Sequence, residues 1–553
     1  MEIFLFSKVE NGSKNIEIMG KTFVYNSGSY KEEDQGVLSM EFGLFFDGTA
    51  NNLYNTDARK YMTYKKIEKG KLSKRAKEEL DRIKGEYAEG GIASAKHTLG
   101  ELEEGYKKYG KENVSYGNDH TNVARMYLNA DRLDYAIYIE GVGTKDLKGD
   151  YSLRGISYAD GVTGLLAKVK KGSEELVQRI KMLYDRKKRN SEIKIRKIVL
   201  TLDVFGFSRG AAAARHFLFQ VSHNKHLEKK TQATSTDSLD NMVEVPESEM
   251  IIAMKKEKML ASFAKNITIN IRFAGLYDTV ASFNPYSWSF ATNRIMVDTL
   301  STKYEKYIHL LRLNDIGKPR LVVHFTALDD IRRYFSLTRL APFLGIEKNL
   351  PGAHSDVGGS YECDVKAIEE VLLKKDFEYE KINDLKKELI KAAWYMSDDF
   401  IVELKSYVGK AVRGKYWLWG KRKINGEYSY LPLQWMLKYA SFQIKEGQLK
   451  IERMNGLYKI DSGTILCEVQ KHLDSTTFKE LANMTYGIKG YGELNRFIAR
   501  DRIVQKDWTF ESGIAQELLK KLRYGYLHQS AHYEGAVEPH APNDDRKRRE
   551  FPG

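Results

Sequence analysis

Ser208 lies between two glycines, Gly206-Phe207-Ser208-Arg209-Gly210, inside the run "VFGFSRGAAAARHF" that spans Val204 to Phe217. A serine hydroxyl is a poor nucleophile at its own pKa; it needs a sharp turn and a nearby base. The G-x-S-x-G elbow supplies the turn, because glycines at both flanks let a strand reverse into a helix without Cβ clashes. Apolar residues lead in and an alanine-rich helix former leads out, as the elbow requires. The Arg209 amide, at the head of that helix, is then a donor for a developing oxyanion. The competing reading is a helix N-cap, whose hydroxyl accepts a bond from a first-turn amide and does no chemistry.

On such a sheet the nucleophile is followed along the chain by an acid and then a histidine. Asp278, in "GLYDTV", ends the next apolar run, where a doubly wound sheet presents site residues. It reads either as the triad acid or as a turn cap with Thr279. His354, in "NLPGAHSDVGGSY", follows Asp278 in a loop rich in Pro, Gly, Ser and Asp, and is the candidate general base. Its rivals are His324, mid-strand and core-like, His528 in "YLHQSAHY", and His120 in "GNDHTNV", which precedes Ser208. Asp356 reads first as a cap on the turn after His354 and second as a cation ligand. The loop "FFDGTANN" offers the Gly48 or Thr49 amide as second oxyanion donor. Asp47 shapes that loop or, alternatively, ligates a metal with Asp356; the loop-shaping role is preferred.

These residues need strands to carry them. "MEFGLFF", "YAIYIEGVGT", "IRKIVLTLDVFGF", "ITINIRFAGLY" and "RLVVHFTALDD" are short apolar runs suited to a parallel sheet buried on both faces. Helical patterns alternate with them, which predicts an α/β fold with helices on both faces of a mainly parallel sheet. The expected organisation is a small β segment over 1–36 and a core over 37–361. That core carries a Lys/Glu-rich helical insertion at about 60–112 and a polar excursion at about 222–262. A mainly helical region follows over 362–553, a cap or membrane-contact module, and its tail "HAPNDDRKRREFPG" reads as extended or frayed. In "GKAVRGKYWLWGKRK", Trp417 and Trp419 among basic residues suit either a lipid interface or a hairpin with one buried Trp.

Composition sets the class. The 553 residues contain 42% hydrophobic and 30% charged residues, enough for a large core under a solvated surface. Two cysteines, Cys363 and Cys467, rule out a disulfide scaffold. The N-terminus "MEIFLFSKVENGSKN" reads as lacking a secretory signal, and no stretch approaches a membrane span. A net charge of +14 favours anionic partners, and no motif supports nucleic acid.

Six stretches occur in order: "FFDGTANN", "NDHTNVAR", "GFSRGAAAAR", "GLYDTV", "LDDIRRYF" and "LPGAHSDVGGSY". Together they resemble the α/β-hydrolase family that includes type VI secretion lipase effectors, over more than half the chain. The resemblance implies a Ser-Asp-His triad on Ser208, Asp278 and His354. It implies hydrolysis of phospholipid acyl esters, without a cofactor and with calcium left open. It also implies delivery by the type VI machine through a spike or tube component, action at the target cell's membrane from the periplasm, and a cognate immunity protein. The alternatives are an esterase or thioesterase on a soluble substrate, and a non-enzymatic binding protein on this fold.

Overall fold

The computed structural model describes residues 36–552 apart from 92, 94–95, 131–134, 152–160, 191–194, 224–247, 260–266, 282–307, 333, 343, 364–366, 408–412, 442–455, 475–512, 532–547 and 549. The β segment expected over 1–36 and most of the 222–262 excursion lie outside the described residues. Within the excursion the helix Glu249–Lys256 is described.

Six strands form one parallel sheet: β1 (Val37–Phe46), β2 (Ala136–Ile139), β3 (Lys197–Phe207), β4 (Ile267–Tyr277), β5 (Leu321–Ala327) and β7 (Ile346–Leu350). Their order is β2-β1-β3-β4-β5-β7. The chain leaves β1 to one side for β2 and returns on the other side for β3, so β1 and β3 flank the switch point. The loops that follow these two strands therefore open side by side at the carboxyl edge, where such sheets bind ligands.

Side chains alternate across the sheet. Leu44, Phe46, Leu200 and Val204 face the helices Leu165–Asn190 and Arg209–Ser222. Phe45, Phe205, Phe273 and Tyr277 face the other way, into a core shared with Asn122–Leu128 and Tyr430–Ser441. Burial on both faces explains the near-continuous apolar runs. A charge cluster sits inside the sheet: Arg272 grips Asp203 (2.7 Å) and Glu41 (3.0 Å). The Lys/Glu-rich stretch from 60 to 112 holds the end of the helix Leu53–Tyr64 and the helices Lys74–Tyr87 and Leu99–Tyr109.

One sequence expectation needs correction. Helices do lie beyond Tyr361, at Tyr379–Lys391, Tyr430–Ser441 and Gly513–Tyr526. Residues 367–424 also hold an antiparallel sheet, in which β10 (Arg413–Ile424) runs between β8 (Ala367–Asp376) and β9 (Phe400–Tyr407). β8 reads "AIEEVLLKKD", full of helix formers, and a bulge at Leu418/Trp419 breaks the alternation of its partner, so pairing overrides local propensity. Trp417 and Trp419 lie in β10, with the Lys375 and Lys405 ammonium groups 4.2 and 3.8 Å from the Trp417 ring. Of the two readings of the tail, its end takes the extended one: β11 (Glu550–Pro552) pairs in parallel with β6 (Leu337–Arg339).

Candidate active site

Ser208 sits between the end of β3 and the helix Arg209–Ser222, with φ 59° and ψ −130°. A non-glycine residue held there carries strain of about 1–3 kcal/mol, and such strain clusters at functional sites. A Cβ on Gly206 would meet the Ala211 Cα at 2.5 Å, and one on Gly210 would run into the Phe46 and Asp47 carbonyls. Both glycines of the elbow are therefore required by close backbone approach. The turn is pinned to β4: the Ser208 N–H donates to the Tyr277 carbonyl (3.0 Å) and the Val280 N–H to the Ser208 carbonyl (3.3 Å). Although Ser208 occupies the N-cap position, its hydroxyl makes no capping bond. The structure thus removes the physical content of the capping alternative.

Asp278 follows β4 directly and also has a positive φ, 43°. Its N–H donates to the Phe325 carbonyl (2.7 Å), and its Oδ1 accepts from the Ala327 N–H (2.8 Å). Its Oδ2 lies 2.5 Å from His354 Nδ1. His354 opens the short helix His354–Gly358, and its N–H donates to Asp330 Oδ2 (3.1 Å). The imidazole packs between the rings of Phe207 (4.5 Å) and Phe335 (5.1 Å). Phe207 is the residue before Ser208, so the His354 ring stacks one residue away from the elbow serine.

The electrostatics follow from burial. Burial pushes the His354 imidazole below its ordinary pKa, with Arg332 acting in the same sense and against the opposite pull of Asp278 and Asp330. Burial alone would raise Asp278; the Arg548 guanidinium and His354 outweigh it and hold the carboxyl low. At neutral pH the pair is therefore a neutral imidazole beside a carboxylate.

Asp47 shapes the loop after β1, as its preferred sequence reading has it. Its Oδ1 accepts from Thr121 Oγ1 (2.6 Å) and the Gly48 N–H (2.7 Å), and its Oδ2 from Tyr138 Oη (2.6 Å). Burial raises its pKa against these three donors. The Gly48 amide is turned onto Asp47, which leaves Thr49 as the loop's oxyanion candidate. Arg209 Nε donates to Thr49 Oγ1 (2.8 Å), tying this loop to the elbow. Thr121 also bridges to Gly359, while Asn122 Nδ2 donates to the Val357 carbonyl (3.0 Å). "NDHTNVAR" thereby staples the β1 loop to the His354 loop.

Asp356 caps its own turn through the Ala353 N–H (2.9 Å) and accepts from the His528 N–H (2.9 Å), with His528 Nδ1 at 2.7 Å. Asp47 and Asp356 each accept from their own set of donors. The rival histidines are engaged elsewhere: His324 with Glu347 (2.8 Å), His120 with Asp57 (3.0 Å) and His528 with Asp356. Among the described residues, Asp57, Glu79 and His120 could converge on a metal ion. Arg82 already bridges Asp57 (2.5 Å) and Glu79 (2.9 Å), so the trio reads as an ion-pair hub.

Two residues that meet the Asp278–His354 pair carry no role in the sequence reading. Asp330 stands in the quoted "LDDIRRYF" with no function attached. Arg548 stands in a basic tail that gives no signal of its place, since it follows Asp278 by 270 residues.

Residues 107–375 match the family model of the type VI secretion phospholipase effector Tle1-like catalytic domain. No curated protein matches the chain. A solved structure, that of the Tle1 effector bound to the VgrG spike from the type VI secretion system, is similar at TM-score 0.52 and 18% identity, covering 99% of each chain. An uncharacterized protein from Pseudomonas aeruginosa aligns at TM-score 0.31 and 15% identity, over 88% of this chain and 62% of that one. The α/β fold and the resemblance to type VI lipase effectors read from the sequence are borne out.

Proposed function

We propose, from the premise that the chain carries a Tle1-like phospholipase effector catalytic domain, that it is a serine hydrolase of phospholipase A type. Ser208 Oγ attacks the acyl carbonyl carbon of a membrane phospholipid. His354 Nε2 takes the hydroxyl proton, while Nδ1–H donates to Asp278 and fixes the tautomer. The oxyanion is stabilised by the Arg209 and Thr49 amides. His354 then returns the proton to the leaving glycerol oxygen, the C–O bond breaks, and a water deacylates Ser208 by the reverse sequence. The chemistry calls for no cofactor.

The observation that carries this reading is the His354–Asp278 pair at 2.5 Å beside a strained, non-capping Ser208. Delivery on a type VI spike, action on the target cell's membrane from the periplasm and restraint by an immunity protein complete the proposal. Spike delivery is supported by the family match and by the spike-bound state of the structural neighbour; periplasmic action and the immunity protein rest on the sequence resemblance.

The test is fatty-acid release from defined phospholipid vesicles, wild type beside Ser208→Ala at equal folded concentration. Release by wild type alone supports the reading. Folded wild type that leaves the vesicles intact but cleaves a soluble ester moves the substrate class, and inertness on both refutes the hydrolase.

A further inference from the structure

Asp278 has no exposure to water, so its charge must be met from within the protein. The residue that meets it comes from the far end of the chain. Arg548 Nη1 donates to Asp278 Oδ1 (2.6 Å) and Nη2 to Oδ2 (2.7 Å), a bidentate pair that occupies both carboxylate oxygens. Its remaining N–H groups reach backbone carbonyls: Nη1 to Ala327 (2.9 Å), and Nη2 and Nε to Phe335 (2.8 and 3.0 Å). All five guanidinium donors are thus used, in a geometry that the compact ammonium of lysine cannot reproduce. The Arg548 side chain is only 4% exposed.

Arg548 is fixed by the strand that follows it. Glu550 and Phe551 of β11 pair with Leu337 and Thr338 of β6. The Thr338 N–H donates to the carbonyl of Thr279, the residue next to Asp278 (2.9 Å). Glu550 also grips Arg339 (2.6 Å), which reaches Glu347 (2.9 Å). Glu347 orients His324, whose Nε2 accepts the Thr279 N–H (3.0 Å). Arg548 therefore holds the acid directly, while β11 braces its neighbour through β6 and Glu550.

We propose that Arg548, anchored by the C-terminal strand, is a positioning residue that clamps Asp278 in the orientation His354 requires, so that the site is complete only with the tail docked. This rests on reading Ser208, Asp278 and His354 as a triad. Arg548 touches no reacting atom; it acts through Asp278. It fixes the carboxylate plane, and it keeps an unhydrated acid ionised so that the acid can accept from Nδ1–H. Among the described residues, the charged and titratable groups that face the Asp278–His354 pair include Arg548, Asp330, Arg332 and His324.

The experiment uses full-length wild type, Ser208→Ala, Arg548→Ala and Arg548→Lys, each checked for folding by circular dichroism and thermal melting. The primary readout is the rate at which a fluorophosphonate labels Ser208, followed by intact mass; it needs no knowledge of the natural substrate. Hydrolysis of a short soluble ester gives kcat and KM. Arg548→Ala is expected to label and turn over about 10²-fold more slowly, as a misplaced triad does, with KM nearly unchanged. Loss of the nearby cation makes the Asp278–His354 pair hold its proton more tightly, so the acid limb of kcat/KM moves to higher pH. Low-millimolar guanidinium should restore part of the rate where methylammonium does not, and Arg548→Lys should stay slow.

A folded Arg548→Ala that labels at the wild-type rate with an unmoved acid limb overturns the proposal and leaves the triad standing. A loss of rate that tracks the melted fraction and ignores guanidinium overturns it as well, by making the contact merely structural. A folded wild type that fails to label overturns the triad reading and the role of Arg548 together.

Discussion

At the scale of single residues, the strained backbone of Ser208 separates nucleophile from cap. A capping serine replaced by alanine costs about 1 kcal/mol. Ser208 makes no capping bond, so Ser208→Ala should melt within a degree or two of wild type while losing about 10⁴-fold or more in kcat. Ser208→Gly relieves the positive φ and should raise stability by about 1 kcal/mol, less the added freedom of the unfolded chain. Calorimetry of the three proteins checks this; a clear loss of melting temperature in both variants would return the serine to a structural role. His354 gives a second test. The imidazole's pKa is lowered, and the protonated ring cannot act as base, so activity is lost only as pH falls through that lowered value. The acid limb of kcat/KM should therefore lie below the ordinary histidine value of about 6.5. In the unfolded chain the same histidine binds its proton more readily, so its contribution to stability also fades as pH falls below about 6.5. The depressed Asp278 removes further stability only in the carboxylate range and below it. A midpoint above the ordinary value would mean that the base in use is not this buried imidazole.

At the scale of elements, the elbow is a packing device between β3, the loop after β1 and the helix that follows. Gly210 is where the helix meets the carbonyls of Phe46 and Asp47. Backbone cannot give way as a flexible side chain can, so Gly210→Ala should cost on the order of 2–3 kcal/mol and shift the Thr49 loop. Denaturant unfolding reads the first effect and labelling of Ser208 the second; a variant as stable and as reactive as wild type would contradict the close approach. The five apolar runs in the sequence are all strands of the sheet, because strands buried on both faces need continuous apolar residues. β7 was not legible as a strand, since its sequence "IEKNL" carries two charges. Both are buried, and Glu347 holds His324 and Arg339. Chain order likewise singled out Ser208, Asp278 and His354 as candidates, and the structure pairs the last two. The amide that Gly48 turns onto Asp47 and the clamp by Arg548 depend on distances between remote segments, which no local pattern encodes.

At the scale of the whole molecule, charge decides how such a chain meets its substrate. The net charge is +14, and among the described residues no helix is long and apolar enough to cross a membrane. Attraction to an anionic bilayer is worth about 1 kcal/mol for each Lys or Arg near the surface and decays over a screening length of about 10 Å at 0.1 M salt. On the proposed mechanism the chemistry uses Asp278 and His354, which are buried, and salt screens buried pairs far less than surface charges. Docking and chemistry should therefore separate in salt. Initial rates on vesicles rich in an anionic phospholipid should exceed those on zwitterionic vesicles at low ionic strength, and the excess should collapse as salt rises to about 0.5 M. Hydrolysis of a short soluble ester, measured in parallel, should hardly change. Equal slowing of both substrates would place the salt effect on the triad itself. A vesicle rate indifferent to both headgroup and salt would mean that the positive charge serves a partner other than the membrane.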